Sequence, residues 1–240
     1  MDPIFSLNCA AGAVLLLPAP CSSGISRPSL AIDLLLNTYP AKRVAVSKSS
    51  CVQPFVSSAA TDRCCPGLVT AALELHALSD GVFVLQQRAP LFEGCAAAYM
   101  DGLLQWIQSQ SFAKIIFVAE APAHRKVDTF LRKGTVFALE NADAGTVTAA
   151  ESATVHCVSR AVGCRALGDK SFAAQLVTRL SMAKPSLSCI FTFSSGDPVA
   201  SSFELAAEAA RLLALTGCSL QQPASWSRSL LSPIDQSIFG

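Results

Sequence analysis

The chain of 240 residues carries a net charge of +1 and is 51% hydrophobic but only 15% charged. This composition excludes a disordered chain, and the low fraction of charged residues predicts that a partner covers part of the surface. The balanced charge, without a basic run, gives nucleic-acid binding no support, and no apolar stretch reaches the ~18–20 residues that span a bilayer. We therefore expect neither a nucleic acid nor a membrane as a partner.

The first predicted element is a buried strand at residues 13–17 (AVLLL), which is followed by Pro18. A short continuous apolar run is typical of a strand that is covered on both faces. Residues 10–20 also resemble the apolar part of a secretion signal, but no Lys or Arg precedes them, which favours the strand. A secreted protein that is linked to lipid through Cys21 is an alternative.

Helices and strands then alternate along the chain. Pro28 occupies a favoured first-turn position of a helix that stops before Pro40, and Asp80-Gly81 predicts a hairpin between two strands. Asp197 is predicted to cap a last helix that has Pro198 at its first position and ends at Gly217. Its apolar face is predicted to be buried, with Glu204, Glu208 and Arg211 on the opposite, outer face. The other predicted elements are strands at 43–47, 69–77, 82–87, 114–119 and 188–193, helices at 93–110 and 171–183, and a strand or loop at 51–56.

This order of elements predicts the fold class. Strands that alternate with helices form parallel units, and the hairpin adds an antiparallel pair. We expect a single three-layer α/β/α domain with a mixed, mostly parallel sheet over residues 1–220, followed by an extended C-terminal tail over 221–240.

The sequence contains no group of residues that predicts a catalytic, metal or cofactor site. Glycine-rich phosphate loops and the HExxH and GxSxG patterns are missing. His76 is predicted to be a half-buried structural residue, and His124 to lie in a solvated basic loop. His156 and Cys157 are neighbours in a strand and point to opposite faces, and the loop at 194–197 is explained by helix capping. The ten cysteines are scattered without a CxxC pair, which favours reduced thiols.

The most informative feature is the C-terminal sequence Ile238-Phe239-Gly240. Chain ends are usually polar and frayed, so an aliphatic and an aromatic residue beside a carboxylate are unusual. Such an end suits capture in a partner's pocket that offers a cation or backbone N–H groups. We expect Trp226 and Leu231 to hold the start of the tail against the domain.

Several stretches, taken in their order and spacing, resemble the proteasome assembly chaperone 2 family. The first is LLLPAPCSSGISRPSLAIDLLLNT, with Leu30, Ala31, Asp33 and Leu34 in its helix, and the second is VFVLQQRAPLF, with Leu85, Gln86 and Arg88. The others are KIIFVAEAPAHRKVD, SSGDPVASSFELAAEAARLLAL and PASWSRSLLSPIDQSIFG.

The resemblance implies a chaperone without enzymatic activity or cofactor. A member of this family forms a heterodimer with proteasome assembly chaperone 1 and binds the α subunits of the 20S proteasome. It promotes assembly of the α-ring and prevents premature or off-pathway association. The resemblance also implies a location in the cytoplasm, and in the nucleus as well.

The end of the chain is similar to the hydrophobic-Tyr-any (HbYX) tails that enter pockets between neighbouring α subunits. Here Phe239 stands in the place of the tyrosine. The missing hydroxyl removes one hydrogen bond, worth typically ~0.5–1.5 kcal/mol, whereas burial of the ring and contact by the carboxylate are retained.

An α/β enzyme of the hydrolase or nucleoside-phosphorylase-like type is the alternative, because the order of elements is also similar to nucleoside-binding folds. This alternative requires a pocket in which Asp197 converges with His124 or His156.

Overall fold

The computed structural model describes residues 4–5, 9, 11–20, 26–58, 69–79, 81–127, 130, 135–139, 155–182, 185–215 and 217–226. The strands within them are β1 (Val14–Pro18), β2 (Lys42–Val46), β3 (Val56–Ser58), β4 (Val69–Ala71), β5 (Leu73–Ser79), β6 (Val82–Gln87), β7 (Lys114–Ala121), β8 (Val136–Leu139), β9 (Val155–Val158) and β10 (Ser186–Phe193). The helices are α1 (Arg27–Thr38), α2 (Ala96–Ser109), α3 (Arg160–Leu167), α4 (Phe172–Leu180) and α5 (Pro198–Leu212), and Ala123–Arg125 form a 3-10 turn.

The main sheet has eight strands in the order β2-β5-β6-β1-β7-β10-β8-β9. Its centre, from β6 to β10, is parallel, whereas β2, β5 and β8 join it in antiparallel pairs. The predicted hairpin is formed by β5 and β6, where Gly81 adopts a φ of 81° that side chains disfavour. Strands β3 and β4 form a separate two-stranded ribbon. The predicted mixed, mostly parallel sheet is confirmed.

Helices cover both faces of the sheet, as the strand sequences require. In β1, Leu15 and Leu17 belong to one apolar core and Leu16 to the other, because successive side chains of a strand point to opposite faces. Helices α2, α3 and α4 pack on the first face, and α1 and α5 pack on the second. The three-layer α/β/α architecture is therefore confirmed.

The start of the last helix is confirmed, but its end and its buried face differ from the prediction. The Asp197 carboxylate accepts a hydrogen bond from the Val199 amide at 2.9 Å, as a capping residue does. The helix ends at Leu212, before the predicted Gly217. Glu208, which the sequence pattern places on the outer face, is buried because Arg211 neutralises it through two hydrogen bonds of 2.6 and 2.8 Å.

Helix α3 was not predicted from the sequence. Its sequence, RAVGCRAL, is short and contains a helix-disfavouring glycine. The structure explains the glycine, because a Cβ atom at Gly163 would collide with the Leu139 side chain of β8. The glycine allows α3 to approach the sheet closely.

Candidate functional site

The start of the predicted tail is bound to the end of α1. Gln221 donates its amide to Thr38 Oγ1 at 2.8 Å, and its carbonyl accepts from Asn37 Nδ2 at 3.0 Å. Trp226 is buried in the core formed by α1 and α5. Ile238, Phe239, Gly240 and Leu231 lie outside the described residues, so docking by the tail and anchoring by Leu231 stay predictions.

A cavity of about 610 Å³ lies beside this segment, between the end of α1 and α5. Its lining is mostly apolar and includes Tyr39, Phe203 and Leu220. Glu204 contributes a buried Oε2 that has no hydrogen-bond partner among the described residues. Among the described side chains that line it, no hydrogen bond joins a nucleophile to a base.

A second candidate region lies at the carboxyl ends of the parallel strands, where α/β folds commonly bind ligands. Arg27 Nη1 lies 2.6 Å from Glu120 Oε1 of β7, and Arg27 Nη2 donates to the Gly196 carbonyl at 2.8 Å. Asp33 of α1 accepts from Arg88 Nη1 at 2.8 Å and from Gln86 Nε2 at 2.7 Å. We call these five side chains the strand-end network: Arg27, Asp33, Gln86, Arg88 and Glu120.

The strand-end network brings together residues of separate sequence motifs. Asp33 comes from the first stretch that resembles the chaperone family, and Gln86 and Arg88 come from the second. The arginines and carboxylates bond to one another and largely exclude water. A general acid or base must reach the proton of a substrate, whereas these carboxylates are occupied by arginines. The network fixes α1 to the sheet.

The histidines that the enzyme alternative requires do not converge with Asp197. Asp197 caps α5, His124 is exposed on the 3-10 turn, and His156 lies on β9 with its ring 6.3 Å from that of Phe137. In the described parts of the chain, no hydrogen bond or ion pair joins Asp197 to either histidine. Those parts also contain no group of three or more residues that could hold a metal ion.

A third polar group is buried near the β2 edge of the sheet. Glu74 of β5 accepts hydrogen bonds from Arg43 Nη1 at 2.6 Å and from the Ala71 amide at 3.0 Å, and its Oε2 lies 3.3 Å from His76 Nε2. Burial raises the pKa of Glu74, but the bonds from His76, Arg43 and Ala71 outweigh it and lower the pKa to about 2. His76 is fully buried, not half-buried as predicted, because this carboxylate satisfies one ring nitrogen.

Exposed apolar side chains lie beside this group. They lie at the end of β2, in the β3–β4 ribbon and the residue before it, and at residue 92. The chain before the ribbon pairs with the chain around residue 92, because Phe92 donates its amide to the Cys51 carbonyl at 2.9 Å and Val52 pairs with Leu91. Each side chain is between 39% and 72% exposed. We call this set the apolar surface: Val46, Phe55, Val56, Val69 and Phe92.

No protein-family model matches the chain. Over 120 residues it is 30% identical to proteasome assembly chaperone 2 of Xenopus tropicalis, a match that covers 49% of this chain and 45% of that relative. The protein of the same name from Danio rerio is 27% identical over 121 residues, with the same coverage. Over about half of its length, the chain is therefore similar to proteins named proteasome assembly chaperone 2. The match spans about half the length of these curated relatives.

Solved structures show how widely this fold is shared. Pyrococcus furiosus PbaA, an archaeal homolog of proteasome-assembly chaperone, matches with a TM-score of 0.60 at 11% identity, over 95% of this chain and 87% of that one. A Thermoplasma acidophilum protein of unknown function matches with a TM-score of 0.59 at 14% identity, over 92% and 82%. At such low identities these likenesses show the fold alone.

Two sets of polar contacts in this chain were not predicted from the sequence: the pair of Glu74 and His76, and the contacts of Gln221. Glu74 and His76 are two residues apart in a strand and must share a face, and this spacing was a signal for the buried carboxylate. The contacts of Gln221 with Asn37 and Thr38 had no such signal, because they join positions far apart in the chain.

The described helices include none that is both long and apolar enough to cross a membrane.

Proposed function

We propose that this chain is a subunit of a heterodimeric chaperone for assembly of the 20S proteasome. The observation that carries the proposal is the 30% identity to proteasome assembly chaperone 2 over 120 residues. The fold shared with the archaeal homolog PbaA supports it over a larger part of the chain. In this proposal the chain promotes assembly of the α-ring and prevents premature association.

The sister chaperone, proteasome assembly chaperone 1, binds the apolar surface in our proposal. Two phenylalanines and three valines are exposed there, and aromatic residues are enriched at the centres of interfaces. The Glu74–Arg43 ion pair and the Glu74–His76 hydrogen bond lie in the same edge of the sheet, where Glu74 is the strand partner of Val46. The low charge of the chain supports the same interpretation.

The tail binds the α subunits in our proposal. Ile238 and Phe239 enter a pocket between neighbouring α subunits, and the Gly240 carboxylate meets a cation there. Trp226 and Leu231 anchor the tail at the domain. The two hydrogen bonds between Gln221 and the end of α1 support a fixed starting point for it.

We also propose that the chain catalyses no reaction and works in the cytoplasm and the nucleus. The first statement is supported by the carboxylates of the strand-end network, whose oxygens are engaged by Arg27, Arg88 and Gln86. Fluorescence microscopy of the tagged chain tests the second statement.

Deletion of Ile238–Gly240 tests the central part of the proposal. We expect the shortened chain to bind the sister chaperone normally and to capture fewer α-ring intermediates, measured by quantitative pull-down. The Phe239→Tyr variant, which restores the strict motif, is the matched control and should bind at least as well as the original chain. Equal capture by the shortened and full-length chains contradicts the role of the tail.

A further inference from the structure

Two cysteines that are distant in the sequence meet at the start of α2. The Cys51 carbonyl accepts from the Phe92 amide at 2.9 Å, and the Phe92 carbonyl accepts from the Cys95 amide at 3.1 Å. The backbone of Phe92 therefore joins both cysteines. Ser49 Oγ accepts from the Cys51 amide at 3.3 Å and fixes the turn on the other side.

Both cysteines are free and half-buried, and Cys95 is close enough to Cys51 to contribute to the raised pKa of its thiol. Cys51 packs against the apolar core that α2 covers. Cys189 provides a contrast, since it is fully buried in the core and inaccessible to an oxidant.

We propose that Cys51 and Cys95 are a modification site that forms a reversible intramolecular disulfide with a small oxidised thiol such as glutathione disulfide. The inference does not rest on the proposed function. Two neighbouring thiols that are held by a shared backbone segment need little movement to reach disulfide geometry.

The reaction consists of two exchange steps. The Cys95 thiolate attacks one sulfur of glutathione disulfide, forms a mixed disulfide and releases one glutathione. The Cys51 thiolate then attacks the Cys95 sulfur, closes the protein disulfide and releases the second glutathione. The protein loses two electrons and two protons, and one glutathione disulfide becomes two glutathione molecules.

The surroundings of the two thiols assign this order. Burial and the adjacent Cys95 raise the pKa of Cys51, although Ser49 and Ser50 partly oppose this, so Cys51 is the poorer first nucleophile. Cys95 is the residue directly before the first turn of α2. Once Cys95 carries glutathione, Cys51 needs only to attack its neighbour.

The disulfide would fasten the turn at residue 51 to α2. This turn leads directly to Phe55 and Val56, so the crosslink holds that part of the apolar surface against the domain. A crosslink between positions this far apart stabilises the fold chiefly by restricting the unfolded chain. Oxidation is therefore expected to raise Tm, and reduction to reverse the rise.

The test uses the purified full-length chain in native buffer with glutathione disulfide at increasing ratios to glutathione. We expect the intact mass to fall by two hydrogen atoms, peptide mapping to link Cys51 to Cys95, and Tm to rise by several degrees. Cys51→Ser and Cys95→Ser should abolish the crosslink and the rise in Tm, whereas Cys218→Ser, at an exposed cysteine, should retain both.

Two results overturn the inference, and both are read on the unsubstituted chain, so they do not depend on whether a variant folds. One is that Cys51 and Cys95 both remain alkylatable by iodoacetamide under strongly oxidising conditions. The other is that Cys95 accumulates as a stable mixed disulfide with glutathione and Cys51 never displaces it.

Discussion

The strand-end network and the apolar surface differ in whether their side chains find partners within the chain. In the network, Arg27 and Arg88 neutralise Glu120 and Asp33, and little of these side chains is exposed. On the apolar surface, Phe55 and Phe92 remain substantially exposed. The edge of the sheet that carries catalysis in many α/β enzymes therefore serves here to fix a helix, and the unpaired side chains lie at the β2 edge.

Charged groups that bond to one another stabilise a particular arrangement and leave no group to react with a substrate. Exposed apolar side chains gain free energy only when a second surface covers them. This distribution supports the proposed role as a protein that binds partners.

The largest expected effect comes from breaking the strand-end network. Arg88→Met leaves the carboxylate of Asp33 buried without its cation, which should lower the free energy of unfolding by roughly 3 kcal/mol. Urea denaturation followed by circular dichroism measures this change. The control is Arg179→Met, which removes the exposed partner of Asp101 and should cost under about 1 kcal/mol. Equal losses for the two variants contradict a structural role for the network.

Substitutions in the apolar surface should weaken binding of a partner and leave the stability of the chain nearly unchanged. The double variant Phe55→Ser, Phe92→Ser should weaken binding of the sister chaperone by about 100-fold, because two aromatic side chains of an interface are lost. Its stability should change little, since both residues are already exposed. Isothermal titration calorimetry measures the affinity, and Met182→Ser, at an exposed residue outside this surface, is the control. Unchanged affinity in the double variant removes the surface from the interface.

The buried carboxylate of Glu74 predicts a pH dependence. The pKa of Glu74 is about 2 in the folded chain and 4.5 without the fold, so its contribution to stability is complete above pH 4.5. As the pH falls from 4.5 towards 2, roughly 2–3 kcal/mol of stability should be lost. Unfolding experiments at pH 6 and pH 3 measure the change, and Glu74→Gln should reduce the dependence on pH over this range.

The smallest expected effect concerns the start of the tail. Asn37→Ala removes the hydrogen bond to the Gln221 carbonyl and should cost about 1 kcal/mol. If the tail relies on this attachment, the variant should also raise the hydrogen-exchange rate of the Gln221 amide, which bonds to the adjacent Thr38. An unchanged exchange rate would show that the attachment does not depend on Asn37.

The elements with strong periodicity or caps could be predicted from the sequence. The apolar run of β1, the hairpin at Gly81 and the cap at Asp197 are local features, and the structure contains all three. Helix α3 could not be predicted, because its glycine is explained only by contact with Leu139. The burial of Glu208 likewise depends on its pairing with Arg211, which an apolar periodicity does not reveal.

The candidate sites were less accessible to sequence reasoning. Asp33, Gln86 and Arg88 were noted as parts of motifs, but their mutual contacts depend on how α1 crosses the sheet. The proximity of Cys51 and Cys95 depends on the turn beside α2, and no CxxC spacing in the sequence indicates it. The apolar surface is visible only after the edge strand is known.

Native mass spectrometry after co-expression of the full-length chain with its sister chaperone and the proteasome α subunits tests the central claim most directly. We expect a one-to-one heterodimer of the two chaperones bound to α-ring intermediates. A folded chain that associates with neither the sister chaperone nor any α subunit under these conditions contradicts the account.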